Sequence, residues 1–119
     1  MSVSMYQQEL MEHYKMSPHR GEILNPDYAA QDDNPSCGDR IEITFSVVNN
    51  LINDMKFSGS GCVISQASAS ILAEHLIGKS LETLREMEER DILNLIKISL
   101  GPTRMRCATL SISVAKSAL

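Results

Sequence analysis

The side chains with the most chemistry to offer are three cysteines, Cys37, Cys62 and Cys107, and a carboxylate two residues past the first, Asp39. Thiolates are soft donors and sulfur nucleophiles, while a carboxylate is a harder donor. Together they could form a Cys3Asp tetrahedral zinc site, or three of the four ligands of an iron–sulfur cluster. The cysteines lie 25 and 45 residues apart and include no CxxC pair, so any shared site must be assembled by the fold. An odd number of widely separated cysteines does not read as a disulfide framework. The plain alternative is that each is a small buried apolar residue, as free cysteines often are.

Their surroundings weigh against that alternative. Cys62 lies in Phe57-Ser58-Gly59-Ser60-Gly61-Cys62-Val63-Ile64-Ser65-Gln66-Ala67-Ser68-Ala69-Ser70. This is an apolar strand running through two glycines into a helix of small residues, and glycines there permit positive φ or a close backbone approach. Cys62 would then sit near the positive end of a helix dipole, which favours thiolate. Cys37 falls among turn formers in Asp32-Asp33-Asn34-Pro35-Ser36-Cys37-Gly38-Asp39-Arg40. Cys107 follows the Gly101-Pro102 break, in or near the first turn of a final helix that Thr103 can cap. All three cysteines therefore fall at junctions between elements, which cluster at one end of a layered fold.

The elements that would position them follow from periodicity. Tyr6, Leu10 and Tyr14 recur every fourth residue and predict a helix over 3–16, ended by Ser17-Pro18. Residues 22–40 are rich in Asn, Asp, Pro and Gly and read as loop. Ile41, Ile43, Phe45 and Val47 alternate with polar residues as a half-buried strand. Asn49-Asn50 is a hairpin turn leading to a second strand over 51–58, with Leu51, Met55 and Phe57 on one face, and residues 61–63 read as a short third strand. A helix over about 65–77 is closed by Gly78; Ser80 and Asp91 can each cap a further helix, with the charged run 86–91 solvated between them. The last helix carries the stripe Met105, Ala108, Ile112, Ala115 and Leu119. One helix, three strands and then only helices predict an α+β fold: a small three-stranded antiparallel sheet with helices packed on one face. At 119 residues the expectation is a single domain, 1–119.

The totals exclude some function classes. A net charge of −4 argues against nucleic-acid binding. No apolar run approaches the ~20 residues that span a bilayer, and the N-terminus lacks a signal pattern, so a cytoplasmic protein with no membrane contact is expected.

Three motifs carry a family resemblance. Asn34-Pro35-Ser36-Cys37-Gly38-Asp39-Arg40-Ile41, the Gly59–Ser70 stretch around Cys62, and Pro102-Thr103-Arg104-Met105-Arg106-Cys107-Ala108-Thr109-Leu110 resemble the three cysteine motifs of iron–sulfur cluster assembly scaffolds, the IscU/SufU/NifU N-terminal family. Met11-Glu12-His13-Tyr14-Lys15 is similar to the family's first helix. The resemblance implies the SufE/NifU-like fold, sulfur received from a pyridoxal-phosphate-dependent cysteine desulfurase, and delivery to apo iron–sulfur acceptor proteins by a monomer or weak oligomer. It implies either a transient [2Fe–2S] cluster on Cys37, Cys62 and Cys107, or Zn2+ held by Cys37, Asp39, Cys62 and Cys107 in a sulfur-transfer site. Arg106 stands where the IscU branch has a histidine, and the Arg104-x-x-Cys107 pattern looks more like SufU. The insertion that SufU members carry before the third cysteine is absent, which leaves a SufU-like site on an IscU-length chain.

Within that resemblance Cys107 is the expected persulfide acceptor, because Arg104 and Arg106 flank it and Gly101-Pro102 frees its loop. Asp39 is expected as a ligand, with turn capping as the alternative. Arg40 and Arg104 either stay solvated, or balance thiolate charge or meet an acidic partner surface, and His13, His19 and His75 are not expected to be ligands.

Overall fold

The computed structural model describes residues 5–34, 38–97 and 99–119; residues 1–4, 35–37 and 98 and the side chain of Tyr6 lie outside the described residues. Cys37 is among the latter, so its expected place in the site falls outside the described residues. The elements run α1 (Met5–Lys15), β1 (Tyr28–Asn34), β2 (Asp39–Val48), β3 (Leu51–Ser60), α2 (Val63–Leu76), α3 (Leu81–Glu86), α4 (Glu89–Ile96) and α5 (Pro102–Ser117). The sheet has the order β1-β2-β3 with both pairs antiparallel. The fold is thus α+β, a three-stranded antiparallel sheet with packed helices.

Two of the three strands match the expected ones and the third differs. β1 arises inside 22–40, which reads as loop because only Tyr28 in Tyr-Ala-Ala-Gln-Asp-Asp-Asn has strong strand propensity. It is an edge strand held by its backbone ladder to β2, from Tyr28↔Phe45 to Asn34↔Asp39. The expected strand at 61–63 does not form. Gly61 and Cys62 make the turn instead, and Val63 already begins α2.

Alternation in β2 buries Ile41, Ile43 and Phe45 completely. In β3 the register shifts opposite Ser46 and Val47, so Ile52 pairs with Val47 and Asp54 with Ser46. The extra residue, Asn53, reverses the faces beyond it. Ile52 consequently points into the core and Leu51, expected inside, is exposed. Asn49 and Asn50 both take positive φ, 53° and 65°, as a tight hairpin requires. Leu72 and Leu76 of α2 and Ile112 and Val114 of α5 complete the core. Each such side chain contributes about 1.5–3 kcal/mol of burial.

Helix ends explain the remaining differences. Ser80 caps α3 as expected, its Oγ accepting from the Thr83 N–H at 3.3 Å. Asp91 is not an N-cap: Glu88 is, and Asp91 closes a capping box at the third helical position. Gly101, not Thr103, is the N-cap of α5, with Pro102 in the first turn where its missing N–H costs nothing. Of the expected stripe, Met105 is 40% exposed, while Ala108, Ile112 and Ala115 are buried.

α1 lies on α2. His13 Nδ1 meets Ser70 Oγ at 2.8 Å, and its Nε2 lies 3.1 Å from Glu74 Oε2. The chain leaving α1 then pairs with the outer edge of β3: the Gly21 N–H donates to Phe57 O and the Phe57 N–H to His19 O.

Candidate metal centre

Asp39 opens β2, and β3 ends beside it, with Ile41 opposite Gly59 and Arg40 opposite Ser60. The two backbones meet closely enough to exclude side chains. A Cβ on Gly59 (φ +152°) would lie 1.9 Å from Arg40 O, and one on Gly61 (φ +124°) 2.2 Å from Asp39 Oδ1. Both positions also need the left-handed half of the backbone map, so glycine is required twice over.

This contact gives Asp39 its place. It is fully buried, and its Oδ1 accepts from the Cys62 N–H at 2.7 Å. Cys62 is the N-cap of α2 and its own side chain makes no cap hydrogen bond. Asp39 therefore caps α2 from another strand: Oδ1 accepts from the Cys62 N–H, and Oδ2 faces Cys62 Sγ at 3.7 Å. Ser65 Oγ lies 3.9 Å from the same sulfur and donates to Cys62 O at 3.0 Å.

Cys107 approaches from α5, its side chain 1% exposed. α5 packs on α2, whose buried residues include Ala67, Ser68 and Ala69. One ligand atom each from Asp39, Cys62 and Cys107 lies within 4.8 Å of the others, the metal-capable group found among the described residues. Zinc bonds of ~2.3 Å to sulfur and ~2.0 Å to oxygen imply tetrahedral edges of about 3.5–3.8 Å. The 3.7 Å separation of Cys62 and Asp39 already has that length. The donor set fits a single thiophilic ion, which would hold the thiols as thiolates. Beside it, Asp33, Asn34, Gly38, Asp39, Arg40 and Ser60 line a cavity of about 370 Å³.

Some expectations about individual side chains shift. Cys107 is the sixth residue of α5, past the first turn, where the helix dipole has largely decayed. Cys62, by contrast, is the N-cap of α2. Arg104 and Arg106 are exposed, as is Arg40, whose Nη2 donates to Gln31 Oε1 at 2.6 Å across the sheet. His13 is engaged with Ser70 and Glu74. Burial is the main cause that holds His19 and His75 below their ordinary value of 6.5.

The sequence reading missed Gln66 and Arg20. Gln66 Nε2 donates to Gly61 O at 3.1 Å, and Arg20 Nη1 donates to Gln66 Oε1 at 2.6 Å. A signal was available: Gln66 is the one long polar side chain in a run of Ser and Ala on a helix with little room for it.

Comparison with known proteins agrees with this architecture. The family model for the NifU-like N terminal domain matches residues 5–119. The zinc-dependent sulfurtransferase SufU of Bacillus subtilis is 36% identical over 125 aligned positions, covering 91% of this chain and 84% of the relative. That alignment is longer than the whole of this chain, so the relative carries residues absent here. The iron–sulfur cluster assembly scaffold protein IscU of Thermotoga maritima is 29% identical, covering 97% and 92%. The crystal structure of a putative iron–sulfur cluster assembly scaffold protein for the SUF system from Fervidobacterium islandicum AW-1 superposes with a TM-score of 0.78 at 30% identity, covering 98% of this chain and 95% of the other. With a three-stranded sheet shared across solved structures, three cysteine motifs in order and a family match along nearly its whole length, the chain belongs to the NifU-like N terminal domain family.

Proposed function

We propose that the chain is an iron–sulfur cluster assembly scaffold. It accepts sulfur from a pyridoxal-phosphate-dependent cysteine desulfurase, carries a [2Fe–2S] cluster as cargo on Cys37, Cys62 and Cys107 with Asp39 as the oxygen donor, and hands it to apo iron–sulfur proteins in the cytoplasm. The observation that carries this reading is the gathering of Asp39, Cys62 and Cys107 from three separate elements to within 4.8 Å. Two thiols beside one carboxylate suit temporary tenure, because the hard oxygen donor is the weak link to a thiophilic metal.

A second reading, a zinc-dependent sulfur relay in place of a scaffold, is favoured by the 36% identical relative of that name and by Arg106, which cannot supply the ligand a histidine would. In both readings the residues act alike. The Cys107 thiolate attacks the outer sulfur of the desulfurase's cysteine persulfide. A new S–S bond forms on Cys107, the old one breaks, and its electron pair leaves with the desulfurase cysteine as thiolate. No net oxidation occurs. Because Cys107 is 1% exposed, the first turns of α5 must open for this exchange. The Gly101-Pro102 start is where they would do so. The domain 1–119 acts as one unit, a monomer or weak oligomer, with neither nucleic acid nor membrane as partner.

The test is an anaerobic incubation with a cysteine desulfurase, cysteine and ferrous iron, run without and with dithiothreitol, which supplies the two electrons that turn persulfide sulfur into sulfide. Metal and acid-labile sulfide are then quantified, and persulfide is mapped by mass spectrometry. Iron and sulfide in equal amounts support the scaffold; retained zinc with persulfide on Cys107 supports the relay. Persulfide on Cys37 or Cys62 with Cys107 untouched would overturn the assignment of the accepting thiol.

A further inference from the structure

The peptide between Gly61 and Cys62 is gripped at both ends. Its N–H is held by Asp39 Oδ1 at 2.7 Å and its carbonyl oxygen by Gln66 Nε2 at 3.1 Å. Gln66 is 7% exposed, and its amide has one orientation that serves. Arg20 carries only donors, so the oxygen of Gln66 must face it and the NH2 group must face Gly61. Arg20 is in turn fixed by three further contacts. Its Nη2 donates to Tyr14 O at 2.7 Å, and its guanidinium lies over the rings of Tyr14 and Phe57, at 5.9 and 5.0 Å from their centroids.

We infer that Gln66 and Arg20 are positioning residues for the metal centre: they fix the plane of the Gly61–Cys62 peptide, and through it the direction in which the Cys62 sulfur points. The inference rests on the proposed reading that Cys62 is a metal ligand. Its physical basis is short-range. Gly61 sits at φ +124°, where a residue without Cβ is held by little of its own. Freed at its carbonyl, that peptide can rotate, and the Cα–Cβ bond of Cys62 rotates with it. The chain of contacts also ties the thiol to the docking of α1 and the segment behind it, since Tyr14 belongs to α1 and Arg20 to the segment paired with Phe57.

Gln66→Glu separates this role from simple packing. A carboxylate still accepts from Arg20, so the docking is kept, but it has no N–H for the Gly61 carbonyl and opposes it with a second oxygen. Arg20→Lys keeps the charge at an exposed position and loses the fork that reaches Gln66 and Tyr14 O together. The full reduced chain is loaded with Co2+ under anaerobic conditions; thiolate-to-cobalt and d–d absorption are recorded, and cobalt loss to EDTA is timed. In the metal-free protein, alkylation by iodoacetamide is followed separately at Cys62 and Cys107. We expect Gln66→Glu to speed cobalt loss by about 10–100-fold, the range for residues that orient a ligand. It should also shift the d–d bands and change the alkylation rate at Cys62 relative to Cys107. Arg20→Lys should move the same readouts the same way by less. Should Gln66→Glu lack a cooperative melt, Arg20→Lys decides. If wild type shows no thiolate-to-cobalt band, the metal-centre reading fails, and the inference with it. If wild type shows the band and the folded variants match it in cobalt loss and in the Cys62:Cys107 alkylation ratio, the inference alone is overturned.

Discussion

Asp39 and Cys62 are held by backbone, whereas Cys107 is held by a helix. Around the first pair the chain crosses itself at contact distance, two glycines take conformations closed to other residues, and the carboxylate spends one oxygen on the Cys62 N–H. Cys107 is placed by the packing of its helix. It projects from the second turn of α5, whose start at Gly101 has ordinary φ and open space around it. Cys107 can move only with α5, which packs on α2, β1 and β2 and buries Ile112 and Val114, while moving Cys62 requires taking the β3–α2 junction apart. The three side chains are thus held in two ways, two by a backbone crossing and one by the packing of a helix.

The most severe way to break that division is through the glycines. Gly59→Ala drives a methyl into the Arg40 carbonyl and should cost about 3–5 kcal/mol, enough to abolish a cooperative melt in a marginal domain. Gly101→Ala, in open space at the N-cap of α5, should cost about 1 kcal/mol or less. Thermal melts of the two variants test the contrast; equal losses would mean that α5 is as tightly fixed as the junction.

A smaller effect sharpens it. Asp39→Ala removes the cap of α2 and, on the proposed reading, a ligand, and should lower stability by about 1–2 kcal/mol without metal. Asp39→Asn keeps an oxygen for the Cys62 N–H and should recover most of that loss, yet hold metal as poorly as the alanine variant. Chemical denaturation and metal competition, run side by side, separate the two jobs of this carboxylate. Identical stabilities for the two variants would contradict the capping role.

The smallest effect is acidic. His19 lies on the segment paired with β3, and His75 in the last turn of α2. Burial holds both below 6.5, so the unfolded chain takes up their protons first as pH falls. Their contribution is therefore complete above pH 6.5 and is lost as pH drops through that value toward the lowered native ones. Replacing both with Asn should flatten the stability profile of the metal-free protein between pH 6.5 and 5, and an unchanged slope would reject the assignment.

Much of this was legible in the sequence. The α+β class followed from the order of periodic segments, and β2 from strict alternation between Ile41 and Val47. What escaped was set by contacts the local pattern does not carry. β1 has almost no strand propensity and exists because β2 offers it a ladder. Ile52 replaced Leu51 in the core because one extra residue in β3 changes which face is which. At the centre, the residue types around Cys62 pointed to a glycine-dependent junction, but that Asp39 would cap α2 across 23 residues follows only from the closeness of Gly61. Gln66 and Arg20, 46 residues apart, show their relation only once α1 lies on α2.

The marginal strand has a colloidal consequence. A sheet of three strands ends in two borders that could recruit strands from other molecules. Near Phe57 the β3 border is already occupied by the segment around Arg20. The other border is β1, which exposes Gln31, Asp32 and Asp33. A neighbouring chain that tried to zip onto β1 would meet adjacent negative charges and residues with little appetite for extended pairing, the usual protection against edge-to-edge polymerisation. The poor strand propensity that hid β1 in the sequence thus also makes it a poor template for a strand from another molecule.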